Sequence, residues 1–97
     1  MSNDEIKRFI DCVTYEDCTV KWNGKTFWCL GVTHAKEDGK CGIGVWECNP
    51  ETFEFTNCRL DATGVSVEEC MKHFLEDPIW DGKTFQEAAP DMEWVDL

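Results

Sequence analysis

The chain has 97 residues, and its twenty acidic side chains against nine basic ones give a formal net charge of −11. That length fits one domain, 1–97, and 42% hydrophobic residues with five Trp and six Phe exclude a disordered chain. So acidic a surface excludes direct binding of DNA, RNA or anionic lipid, which relies on Lys and Arg to neutralise phosphates. No run approaches the roughly 20 apolar residues that span a bilayer, so no membrane contact is expected.

The first residues, Met1-Ser2-Asn3-Asp4-Glu5, are polar and acidic where an export signal places a basic patch and then an apolar run. The expected compartment is therefore the cytoplasm, where thiols stay reduced. The seven cysteines, at 12, 18, 29, 41, 48, 58 and 70, are odd in number, and neighbours are never closer than six apart. Without a CxxC pair the chain lacks the knuckles of zinc ribbons and thioredoxin-type motifs. Seven free thiols, mostly acting as small apolar core residues, are expected.

In chain order, Ser2 to Glu5 fits a capping box, and Ile6, Phe9, Ile10 and Val13 follow at helical spacing, predicting a helix over 3–13. From Cys18 the period becomes two. Asn23-Gly24 predicts a type I′ hairpin joining strands 18–22 and 25–35. Asp38-Gly39 and Asn49-Pro50-Glu51-Thr52 predict two further turns, leading into 40–48 and then Phe53–Leu60. Ser66 to Glu69 is a second capping box, and Val67, Cys70, Met71, Phe74 and Leu75 mark the inner stripe of a helix over 67–76. Thr84 to Glu87 caps a short third helix that Pro90 ends, and Met92–Val95 is either a last short strand or an extended tail. The expected fold is α+β: a four-stranded antiparallel meander with the N-terminal helix and the C-terminal helical segment packed on one face.

Both faces of that meander are apolar. In the second strand Phe27 and Cys29 point one way and Trp28, Leu30 and Val32 the other, and in the third Ile43 and Val45 oppose Trp46 and Cys48. Helices on one face leave the second set uncovered, so Trp28, Leu30 and Trp46 are expected in a partner contact or a homodimer interface. If both hairpins have two-residue turns, Cys18 faces Cys29 and Cys29 faces Cys48, a row able to take a soft metal or to oxidise.

Charge suggests a second partner surface. Residues 61–97 hold ten acids against only Lys72 and Lys83. Asp61, Glu68, Glu69, Glu76, Asp77, Asp81 and Glu87 are expected to form one negative surface that attracts a basic protein groove, as an inhibitor mimicking nucleic acid would.

The chemistry-bearing signals are weak. Trp22-Asn23-Gly24-Lys25-Thr26-Phe27 and Trp80-Asp81-Gly82-Lys83-Thr84-Phe85 match at five of six positions. Their Gly-Lys-Thr is not a phosphate loop, because Thr19 and Asp77 stand where its first glycine is required, and both copies read instead as tight turns with aromatics flanking an Asx-Gly pair. Cys70 and His73 lack a second ligand pair, and His34 has no evident nucleophile to serve. No cofactor motif is present. The expected function is a non-enzymatic protein-binding or regulatory module, and the alternative is a small Cys/His-dependent enzyme or a redox or metal-binding protein.

Overall fold

A computed structural model describes residues 1–34 and 40–95. Helix α1 (Asn3–Tyr15) is followed by strands β1 (Cys18–Trp22), β2 (Lys25–His34), β3 (Cys41–Cys48) and β4 (Phe55–Gly64). Helix α2 (Val67–Glu76), the one-turn α3 (Phe85–Ala88), a 3₁₀ turn (Ala89–Asp91) and strand β5 (Glu93–Val95) complete the chain. The α+β class is as expected. The sheet has five strands and not four, in the order β4-β3-β2-β1-β5, because the tail pairs antiparallel with β1 through Thr19–Val95, Val20–Trp94 and Lys21–Glu93.

The caps behave largely as their sequences dictate. Ser2 and Glu5 close a full capping box on α1, as do Thr84 and Glu87 on α3. At α2 only half of the box forms: Ser66 accepts from the Glu69 N–H, but the Glu69 carboxylate turns to the Val65 N–H at 3.0 Å. The Asn23-Gly24 hairpin has φ of +51° and +74°, as a type I′ turn requires. The expected turn at Asp38-Gly39 lies outside the described residues.

All helices pack on one face. The core joins Phe9 and Val13 of α1, Val20, Phe27, Cys29 and Val45 of the sheet, and Cys70 and Phe74 of α2. Phe9 is its centre, stacked on Phe85 at 5.5 Å and meeting Trp94 edge-on at 5.3 Å between ring centroids.

Two irregularities correct the sequence reading. A bulge in β2 between Leu30 and Thr33 reverses the alternation, so Val32, expected outside, packs against the inner core. The β2–β3 register also differs: six residues separate His34 from Cys41, and Cys29 faces Val45 while Cys48 faces Thr26. Cys18 does face Cys29, but the three-cysteine row does not exist.

A close backbone contact sits at the β2 bulge. A Cβ on Gly31 would lie 2.7 Å from the Glu16 carbonyl oxygen, so the α1–β1 connector rests directly on this glycine. The Asp17 carboxylate fixes the contact by accepting the Gly31 N–H at 3.0 Å. Gly31→Ala should therefore destabilise the fold by roughly 1–3 kcal/mol, the usual cost of overpacking. Gly42→Ala, whose Cβ would meet its nearest neighbour at 3.7 Å, should be close to neutral. Urea denaturation of both variants checks the contrast.

Candidate functional site

The outer face of the sheet holds the aromatic half of the predicted site. Trp28 of β2 and Trp46 of β3 are register partners, and both are half-buried. The β3–β4 connection lays two phenylalanines over them. Phe53 meets Trp28 edge-on at 5.6 Å, and Phe55 stacks on Trp46 at 5.3 Å with an interplanar angle of 12°.

That connection is shaped by Asn49, whose side chain accepts from the Glu51 and Thr52 N–H groups at 2.8 and 3.3 Å. Its carbonyl accepts from Phe53 N–H at 2.8 Å. Phe53 is left at φ +59°, a left-handed backbone that costs a residue with a Cβ about 1–2 kcal/mol. The strain places its ring on Trp28. Even so, Phe55 stays 45% exposed, so the cover is incomplete.

Beside this cluster the outer face dips into a depression of about 290 Å³, with Leu30, Gly44, Trp46 and Asp61 among its walls. Its floor is low because Gly42 and Gly44 carry no side chains. A Cβ on Gly44 would sit 3.1 Å from Trp46 Nε1 and 3.5 Å from Leu30 Cδ1, so the indole lies across the glycine. Asp17 and Asp61 give the depression acidic edges. Trp28, Leu30 and Trp46 thus share one surface, as the alternation predicts.

The acidic half of the predicted site is dispersed. Asp61 opposes Gly44 on the outer face, away from α2. Glu69 is turned back to cap its own helix at Val65, and Glu76 is paired with Lys72 at 4.0 Å. Asp77 meets His73 Nδ1 at 3.0 Å. Asp81 belongs to an ion network: Arg59 Nη1 donates to it at 2.8 Å, and Asn23 Nδ2 at 3.4 Å. Glu87 caps α3, while Glu68 lies beside Lys72 and Glu76 around a second depression. The expected continuous negative surface is broken into locally used carboxylates on different faces.

Missed from the sequence was the meaning of the repeated hexapeptide. The second copy makes the same turn as the first, with Asp81 at φ +54° and Gly82 at +86°, and the two turns touch. Trp80 is fully buried against Trp22 at 5.8 Å and Phe27 at 4.9 Å. Arg59 secures the contact. It pairs with Glu47, which also holds Lys25 at 3.3 Å, donates to Asp81 and to the Ile79 carbonyl at 3.3 Å, and stands 5.5 Å above the Phe27 ring.

Among the described residues no group of three or more His, Cys, Asp or Glu is placed to hold a metal. None of the seven cysteines is joined in a disulfide. Burial pushes the Cys29 and Cys70 thiols up, away from nucleophilic thiolate. No described helix is long and apolar enough to cross a membrane. Comparison with protein-family models, curated proteins and solved structures gives no match.

The ion network has a pH signature. Hydrogen bonds from Arg59 hold both Glu47 and Asp81 below their ordinary values of 4.5 and 3.8. Carboxyls lowered on folding stabilise the protein fully above those values, and the contribution declines below them and is lost as pH falls through the lowered folded values. Thermal stability should therefore drop as acid is added below pH 4.5. Arg59→Met, which leaves a Glu47 only 14% exposed with Lys25 alone, should cost roughly 1–3 kcal/mol at neutral pH and flatten the acid response. Calorimetry of both proteins across pH 3–7 checks the sign.

Proposed function

We propose that this chain is a non-enzymatic protein-binding module that works through the outer face of its sheet. The supporting observation is the aromatic cluster of Trp28, Trp46, Phe53 and Phe55, built on the face away from every helix with Phe53 in a strained backbone. Strain of this kind is commonly retained where a binding surface needs it.

The occupant we propose is an extended partner segment that combines apolar side chains with Arg or Lys. An apolar group fits over Leu30 and Gly44, while a guanidinium fits against the Trp46 indole and the Asp61 carboxylate. The net charge of −11 adds long-range attraction for a basic segment and disfavours a second copy of the same acidic chain. The acidic surface of α2 is the weaker site, since Glu69, Glu76 and Asp77 already have partners.

Nuclear magnetic resonance titration with an extended Leu/Arg peptide, and with its Leu/Glu counterpart as control, tests the proposal. The expected result is saturable shifts at Leu30, Gly44, the Trp46 indole N–H and Asp61 for the basic peptide only. Asp61→Lys should weaken binding roughly tenfold, the scale of a lost charge-assisted hydrogen bond. Shifts confined to Glu68 and Glu76, or no saturable shifts, would overturn the outer-face reading.

A further inference from the structure

The connector that rests on Gly31 is bracketed by two thiols. Cys12 lies in the last turn of α1, and Cys18 opens β1. Both converge on Glu16: Cys12 Sγ is 3.6 Å from its carboxylate, and Cys18 Sγ is 3.8 Å from its carbonyl oxygen. Both cysteines also line one depression of about 220 Å³, together with Glu16 and Trp94. Cys12 is half-buried and open to a reagent, whereas Cys18 is 5% exposed. Cys29, across the β1–β2 ladder from Cys18, is fully buried and out of a reagent's reach.

We infer that Cys12 and Cys18 form a reversible intramolecular disulfide, a modification site for small-molecule disulfides such as oxidised glutathione. Cys12 gives its proton to solvent, and the thiolate attacks one sulfur of the reagent. The reagent's S–S bond breaks, and its leaving sulfur takes up a proton as free thiol. Cys18 then loses its proton and attacks the Cys12 sulfur of the mixed disulfide, releasing the second reagent thiol. Two protein thiols are oxidised, and one small disulfide is reduced to two thiols.

The surroundings set the character of this couple. Burial, the Cys12 thiol and the carboxylates of Glu16 and Asp17 push Cys18 up to about 12. Among the described residues no positive group acts on Cys18 to stabilise a thiolate, so the reduced form gains nothing from them of the kind that makes a dithiol hard to oxidise. Formation is therefore slow and the bridge, once made, is durable. It would staple the end of α1 to the first residue of β1, enclosing the Asp17 that bonds Gly31. The inference stands independently of the outer-face reading.

The test equilibrates folded protein carrying Cys58→Ser, which removes the exposed thiol, in glutathione buffers of rising disulfide fraction. Acid quenching, alkylation, intact mass and peptide mapping follow. The expected product lacks two hydrogens, maps to Cys12–Cys18 in most molecules under oxidising buffer, and reverts with dithiothreitol. Its rate of formation should rise roughly tenfold per pH unit, following the thiolate fraction. Cys12→Ser and Cys18→Ser should each abolish it, and Cys12→Ser, at the half-buried position, keeps the test valid if the other variant misfolds. Full alkylation of both cysteines at oxidising equilibrium, a bridge to any other cysteine, or a persistent glutathione adduct on Cys12 would overturn the inference.

Discussion

Burial of Trp80 between two turns of the same sequence holds the C-terminal third of the chain to the sheet. α3 has only four residues and β5 only three, too few to persist alone, since isolated helices of such length are marginal in water. They stay because Trp80 fills the space between Trp22, Phe27 and Phe85, and because Arg59 ties the Asp81 turn to β4 and Glu47. With that segment docked, Phe85 reaches Phe9, Trp94 closes over it, and β5 can pair with β1. The indole N–H of Trp80 has no partner among the described residues, which shows how far apolar packing outweighs the polar cost at this point.

What the sequence disclosed followed from period and caps. Alternation assigned Phe27 and Cys29 to the core and Trp28 and Leu30 to the outside, and the helical stripe assigned Cys70, Met71 and Phe74, because those signals are local. Val32 was misread because strict alternation has no place for a bulge, and the Glu16 contact at Gly31 beside it lies outside any window around residue 32. The cysteine row failed for a similar reason: its register depended on the length of the β2–β3 connection, which Asp38-Gly39 alone did not determine. The acidic surface failed because charge was counted along the chain, whereas Asp61 and Glu68, seven residues apart, lie on different sides of the sheet. The hexapeptide echo was visible as two turns, but their mutual contact is long-range and had no sequence signal beyond the paired tryptophans.

The two faces of the sheet therefore divide the work. The inner face is closed by α1, α2 and the Trp80 segment, and its aromatic contacts account for stability. Among the described residues the β3–β4 loop covers part of the outer face, and that loop is strained to provide it. Between them runs the Glu16–Asp17 connector, which touches Gly31 from the inner side while Asp17 edges the outer depression. A change in the thiols at its ends would be felt first at this junction, since the connector has no slack over a glycine with no room for a methyl group.

The outermost strand has a colloidal consequence. β4 presents ten residues along an unpaired sheet edge, against three on β5, and open edges invite pairing between molecules. Two irregularities in its pairing with β3 twist that edge, and mutual repulsion between highly negative molecules keeps it solitary at neutral pH. The isoelectric point of about 4.4 lies where Glu47 in the unfolded chain also takes up its proton. Repulsion between molecules thus vanishes first, while the Arg59 clasp, whose carboxyls titrate lower in the folded protein, begins to weaken there and is lost only in stronger acid. Mild acid is where this protein should be least soluble, with β4 the first strand to find a neighbour.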